Sequence, residues 1–168
     1  MKFPAEYWIK KLQLVTHIEG GSFREVYRSD LKIKSENLPD TFNGDKNCST
    51  SIYFLLEKNQ FSAFHKIASD ELWHFYTGDT LSIYEIDLQG NLTEHKLGNN
   101  PENGESFQCV IKAGNWFASR VTRGGEYALV GCTVSPGFDF ADFELAKREQ
   151  LIELFPSYKD LITELTYQ

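Results

Sequence analysis

The chain predicts an all-β fold, an antiparallel sandwich or barrel with helices only at its two ends. Three observations carry this. Short runs of strand-forming residues recur from Phe23 to Ser135, compact turn sequences separate them, and the aromatic load is high. Aromatics are 14% of the 168 residues, with 13 Phe, 8 Tyr and 3 Trp, so rings share the core with aliphatic side chains. A hydrophobic fraction of 41% is enough for one core, and a single domain spanning 1–168 is expected.

The elements follow in order. Pro4 to Leu14 has helical spacing, with Tyr7, Trp8 and Leu12 near one side, Ile9 close by and Pro4 suited to a first turn. His17-Ile18-Glu19-Gly20-Gly21 then breaks the chain, and two adjacent glycines predict a bend that side chains would obstruct. Phe23 to Ser29 alternates as a strand does, while Leu31 to Asn47 is polar, holds Pro39 and Gly44, and reads as a long surface loop. Strand candidates follow at Ser51–Leu56, Phe61–Ile67, Leu72–Thr77, Leu81–Asp87, Leu92–Leu97, Ser106–Ile111, Trp116–Val121 and Tyr127–Ser135. Pro136-Gly137 turns the chain out of the β-region, and Phe138 and Phe140 are expected to be structural, pinning a helix against the barrel. That helix is predicted over Ala141 to Phe155, anchored by Phe143, Leu151, Leu154 and Phe155 and ended by Pro156. Ser157 is placed to cap a last short helix holding Leu161, Ile162 and Leu165.

Composition excludes some partners. The net charge is −7 and no Lys/Arg cluster interrupts it, so nucleic acid and anionic membrane are not expected to bind. No apolar run is long enough for a signal peptide or a bilayer span. With three unpaired-looking cysteines, Cys48, Cys109 and Cys132, a cytoplasmic protein with reduced, mostly buried thiols is expected.

The candidate site lies in Phe61–Gly78, FSAFHKIASDELWHFYTG. Read as a hairpin turning at Ala68-Ser69-Asp70, it pairs Ile67 with Glu71 and His65 with Trp73. One face then carries Phe61, Ala63, His65, Ile67, Glu71, Trp73 and Phe75, and the other Ser62, Phe64, Lys66, Leu72, His74 and Tyr76. The first is more apolar and is assigned inward. A carboxylate there must be neutralised, paired or hydrated, and His65 is the nearest candidate partner. Such a pair can move a proton, ligate a metal or hold itself together structurally, and the residues alone leave all three open. His17 and His95 carry no signal beyond their identity.

The tract His65-x5-Glu71-x6-Gly78 resembles the first signature of the cupins, which reads His-x-His, three or four residues, Glu, six residues, Gly. Val110-Ile-Lys-Ala-Gly-Asn-Trp-Phe117 resembles the second, centred on Pro-x-Gly-x-x-His. HIEGGSFREVYRS, TSIYFLL, SDELWHFYTGDTL, KAGNWFAS and YALVGCTVSPGFDFADFEL resemble one branch of that superfamily, small single-domain cupins of largely unassigned role, and run in order from His17 to Leu145. The resemblance implies a jelly-roll sandwich (the double-stranded β-helix), a homodimer, and an open pocket inside the barrel. Metal-binding cupins use two histidines and the glutamate of the first signature and a histidine of the second. Carried over, His65 and Glu71 remain, but Ile67 and Phe117 replace the other two and Lys112 replaces the proline. Two protein ligands rarely hold a transition metal, so no cofactor is expected, a divalent metal on His65 and Glu71 being the weaker alternative.

The expected function is binding of a small molecule in the barrel, with epimerase or isomerase chemistry on a sugar-like or keto-acid ligand. In that reading His65 is the base or polar anchor, Glu71 its orienting partner and Tyr53 the acid. Arg28 would hold an anionic group, and Trp73, Phe75, Phe117 and Ser119 would line the ligand. The facing of Tyr53 is open, because both faces of SIYFLL are apolar, and so is the facing of Arg28. The rival is a non-catalytic metabolite-binding or sensor module. Elemental analysis of the purified protein is expected to find no stoichiometric transition metal, and Ile67→His with Phe117→His together should create metal affinity. One iron, zinc, manganese or nickel per chain would overturn the assignment.

Overall fold

Pro4 precedes helix α1 (Ala5–Leu12), and Gln13 ends it in the left-handed conformation at φ 55. The structure, a computed structural model, describes residues 3–168. Strands follow as β1 (Val15–Thr16), β2 (Ser22–Arg28), β3 (Lys32–Ile33), β4 (Lys46–Asn47), β5 (Thr50–Glu57), β6 (Phe61–Ile67), β7 (Asp70–Gly78), β8 (Leu81–Ile86), β9 (Leu92–Leu97), β10 (Gln108–Ile111), β11 (Trp116–Val121), β12 (Tyr127–Ser135) and β13 (Phe143–Leu145). Helices α2 (Arg148–Leu154) and α3 (Lys159–Glu164) close the chain. No helix among the described residues is long and apolar enough to cross a membrane.

The strands form an antiparallel six-stranded sheet in the order β1-β2-β5-β12-β7-β10 and a five-stranded sheet in the order β13-β6-β11-β8-β9, with β3-β4 as a small third ribbon. From β5 to β8 the chain changes sheet at every turn, and it does so again from β9 through β13. This is the expected jelly roll. Its consequence for the site is that β6 and β7 do not form a hairpin. They face each other across the sandwich, because β6 pairs with β11 and β13 while β7 pairs with β12 and β10. The Ser69 hydroxyl donates to the Pro136 carbonyl at 2.6 Å, holding the crossing turn.

Period-2 alternation sorts side chains into three apolar clusters. Between the sheets lie Phe54, Trp73, Ile83, Phe117 and Val130 with their neighbours. The outer face of the five-stranded sheet is covered by the C-terminal helices, where Phe64, Ile86 and Ala118 meet Leu151, Ile162 and Leu165. Helix α1 covers part of the other outer face through Leu55, Tyr127 and Leu129. Phe64 is therefore buried under helices, not on an open face, and its backbone exchanges bonds with Ala146 and Leu165 at 2.8 Å.

Two expectations about connecting segments change. The predicted helix over Ala141–Phe155 begins only at Arg148; before it, a 3-10 turn (Phe140–Asp142) leads into β13, which pairs Phe143 with Ile67 and Leu145 with His65. The open edge of β6 supplies unpaired backbone groups, and pairing them outweighs local helix propensity. The polar loop 31–47 is also not merely surface. Lys46 is buried, with ion pairs to Asp142 at 2.7 Å and Asp139 at 3.5 Å and a bond from Nζ to the Asn43 carbonyl at 2.8 Å. It straps the 138–142 segment to the sandwich.

Phe64→Ala should lower stability by about 4 kcal/mol, the usual cost of emptying a fully buried aromatic site, read as a lower urea midpoint. A loss near zero would mean that the C-terminal helices do not depend on this ring.

Candidate functional site

The Gly20-Gly21 bend builds the site. Gly20 has φ +111, and a Cβ there would come within 2.0 Å of the Phe61 carbonyl oxygen. Gly21, at φ +70, would meet the Leu55 carbonyl oxygen at 2.8 Å. Only glycine lets the loop between β1 and β2 lie this deep. The Glu19 carbonyl then accepts bonds from the Ala63 amide at 2.8 Å and the Tyr167 hydroxyl at 3.1 Å. The Glu19 side chain is carried into the sandwich and buried.

There its carboxyl meets three groups. Ser62 Oγ donates to Oε1 at 2.9 Å, His65 Nε2 lies 3.3 Å from Oε2, and His17 Nδ1 lies 3.5 Å from the same oxygen. Ser62 and His65 both reach inward because β6 carries a bulge: Ser62 pairs with Ser119 and His65 with Phe117, three steps on β6 against two on β11. Strict alternation therefore misplaced Ser62 on the outer face. Phe61 is displaced too, packing in the cluster under the C-terminal helices with Tyr167 at 5.3 Å between ring centroids.

Protonation follows from partners. His65 Nδ1 lies 2.7 Å from the Ala63 carbonyl, which can only accept, so Nδ1 carries the proton and the Nε2 lone pair faces Glu19. Burial pulls His65 down to about 4 against the effect of that bond. Burial pushes Glu19 up, opposed by His17 and by the Ser62 hydroxyl. Both directions describe one arrangement, a neutral couple in which Glu19 and His65 share a single proton. His17 is lowered by burial, with Glu19 opposing and His65 adding to the shift.

Glu71 stands on β7, in the facing sheet, buried and without a cation partner among the described residues. Burial pushes it up to about 8, the Glu19 carboxyl adds to the push, and a hydrogen bond with the Cys132 thiol works against it. The expectation that His65 and Glu71 pair is corrected: Glu19 is the carboxyl against His65, because β6 and β7 belong to different sheets. His65, Glu71, His17 and Glu19 nevertheless line one cavity of about 310 Å³. Its aromatic walls are Phe23, Phe54, Phe138 and Phe140, and Glu25, Arg28 and Asp139 also line it.

The other candidate residues divide. Arg28 lines the cavity, but its guanidinium forks onto Glu25 at 3.0 and 2.7 Å and donates to Asn47 Oδ1 and the Phe138 carbonyl, each at 3.1 Å. Tyr53 faces out, packed with the α1 cluster and 5.9 Å from the Tyr76 ring, because Thr50, Ile52 and Phe54 take the inward positions of β5. It is not in the cavity. Trp73 and Phe117 are buried core rings 6.4 Å apart, and Ser119 is buried beside Ser62 in register. Phe75 packs against the same core. These four lie within the packed interior and do not line the cavity. Phe138 and Phe140, expected to be only structural, do line it, and Phe140 is exposed beside His17 at 6.2 Å.

The metal set that the cupin resemblance implies does not fit. Ile67 presents carbon to the cavity, Phe117 packs its ring 4.0 Å from that of His65, and the two nitrogens of His65 face Ala63 and Glu19. No group of three His, Cys, Asp or Glu side chains among the described residues is arranged to hold a metal ion.

The family model described as Cupin superfamily (DUF985) matches residues 6–146. An uncharacterized protein of Saccharomyces cerevisiae is 31% identical over 150 residues, covering 84% of this chain and 74% of that protein. A hypothetical protein from Leishmania major superposes with a TM-score of 0.90 at 36% identity, over 99% of this chain and 100% of its own. A protein from Shewanella oneidensis gives 0.88 at 38% identity, over 98% of each chain. Oxalate decarboxylase from Bacillus subtilis is similar in fold, with a TM-score of 0.54 at 16% identity, over 89% of this chain and 36% of that one.

The protonated Glu71 makes stability depend on pH. The folded chain keeps this proton up to about 8, whereas a free carboxyl releases it near 4.5, so the folded state binds more protons between those values and loses stability as pH rises. His65 acts oppositely between about 4 and 6.5, where the folded state binds fewer protons. From pH 6.5 to 8 the fall should therefore appear without that opposition, and Glu71→Gln should flatten it. Urea midpoints across this range test the assignment; a rise for the wild type would contradict it.

Proposed function

This chain belongs to the cupin superfamily, in its DUF985 branch, and from that premise we propose that its cavity binds a small molecule and epimerises it by moving a proton at a carbon beside a carbonyl. One observation carries the reading: two proton-holding groups, the Glu19–His65 couple and Glu71, enter the same cavity from facing walls. Catalysis of this kind needs two such groups of opposite protonation demand.

The step balances. The couple, holding one proton at rest, takes a second from the substrate carbon on the Glu19 carboxyl as the shared proton passes to His65 Nε2. The electron pair of the broken C–H bond moves to the carbonyl oxygen. Glu71 then gives its proton to the other face of that carbon as the pair returns. The couple ends one proton richer and Glu71 one poorer, and exchange through the cavity mouth resets both. Ser62 and the Ala63 carbonyl keep the couple oriented. Arg28 is already forked onto Glu25, which speaks for a sugar-like over a keto-acid ligand.

A homodimer remains part of this reading, supported by the branch resemblance and by exposed Leu72, Tyr76 and Val110 on the six-stranded sheet. The rival, a non-catalytic binding module, draws support from how fully Glu19 and His65 are engaged by internal partners.

Wash-in of deuterium from heavy water into a panel of aldoses and ketoses, followed by NMR, tests the proposal. Wild-type protein should label a substrate carbon, and Glu19→Gln or His65→Asn should slow this by about 100-fold or more. Ligand binding without any exchange would favour the binding module.

A further inference from the structure

The walls of the cavity differ sharply in what charge they can still accept. Four carboxyl residues line it, Glu19, Glu25, Glu71 and Asp139, against one guanidinium. That guanidinium is spent on Glu25, Asn47 and Phe138. Lys46, just behind Asp139, is spent on Asp142 and Asp139. No cation among the described lining residues is left for an anionic ligand.

The acceptor side is open. Glu71 is 7% exposed, points into the cavity, and has the Cys132 thiol as its hydrogen-bond partner, with no nitrogen or hydroxyl donor among the described residues. The same cavity has an aromatic wall of Phe23, Phe138 and Phe140, with Phe138 and Phe140 5.0 Å apart edge to face. A buried carboxyl and ring faces around one space recognise a positive charge by pairing and by cation–π attraction.

We infer that the ligand carries a protonated amine, its charge set against Glu71 and its flank against the Phe138–Phe140 wall. The inference rests on reading the cavity as a small-molecule site, names the class of molecule that fills it, and belongs to the binding-module form of that reading, because a Glu71 that releases its proton on binding an ammonium has none to give to a carbon. Protonation favours the same sign. Ionising Glu71 for a cation at neutral pH works against a population ratio of about tenfold, whereas protonating His65 for an anion works against about a thousandfold. The groups that face Glu71 electrically are Glu19, Cys132 and Cys109, and none brings a positive charge.

Calorimetric titration with three probes of one shape tests this: cyclohexylamine, cyclohexanol and cyclohexanecarboxylate. The ammonium should bind at least about tenfold tighter than either other probe. Its affinity should rise by about tenfold per pH unit up to pH 8 and then level off, as Glu71 gives up its proton. At pH 7, buffers of different ionisation heat should reveal close to one proton released per ammonium bound. Glu71→Gln should abolish both the preference and the proton release and, because folding no longer has to take up a proton at that position, should leave the chain folded with a melting temperature at neutral pH above that of the wild type, and Phe140→Ala, at an exposed ring, should weaken the ammonium alone. Equal binding of the three, tighter binding of the carboxylate, or an ammonium affinity indifferent to Glu71→Gln would overturn the charge assignment and leave the small-molecule reading standing. Failure of all three at millimolar concentration, with the folded protein intact, would overturn both.

Discussion

The burial of one carboxyl governs this molecule. An ionised carboxylate taken from water without a partner costs far more than a small domain's whole stability, so Glu19 must keep its proton or share it. The chain meets that demand with His65, His17 and Ser62, placed by a bulge in β6 and a loop that only glycines can follow. Burial likewise holds a second proton on Glu71 in the facing sheet, and the Glu19 carboxyl adds to the push. The cavity is thus a place where burial favours the protonated form of two carboxyls.

The scaffold around it keeps that arrangement buried. The C-terminal helices seal the outer face of the five-stranded sheet, and rings from both sheets fill the interior beside the cavity. At the cavity wall, Lys46 ties the 138–142 segment down through a buried ion pair and Asn43 through exposed hydrogen bonds. Removing one partner of such a buried ion pair typically costs more than the pair itself contributes, because the other charge is stranded. The aromatic wall of the cavity is therefore held by electrostatics outside it.

The fold was legible because strand length, turn chemistry and alternation agree along the chain. Phe61–Ile67, Leu92–Leu97, Trp116–Val121 and Tyr127–Ser135 have the bounds read from sequence. Connectivity was less so. Ile67 and Asp70 look like the arms of a hairpin, but periodicity says nothing about which sheet a strand joins, and here the chain crosses over. His65 and Glu71 were visible because alternation put both among apolar residues. Glu19 was not, since a loop residue has no period. Its signal was the adjacent glycine pair, a bend that needs missing side chains because backbone passes within touching distance. Ser62 was hidden by the bulge, and Tyr53 could not be oriented in a strand apolar on both faces. Phe143–Leu145 shows tertiary context overriding a helical pattern, since the edge of β6 needed a partner.

The bond from Tyr167 to the Glu19 carbonyl joins residues 148 positions apart. A ribosome must therefore add 148 residues after Glu19 before the hydroxyl that fixes it exists. Until then the loop can fold back into a growing sandwich on the Ala63 amide and the Ser62 hydroxyl, without the tie from the C-terminus. The site is thus finished in the order opposite to its reading: the residue that defines the chemistry is made early, and its lock arrives late.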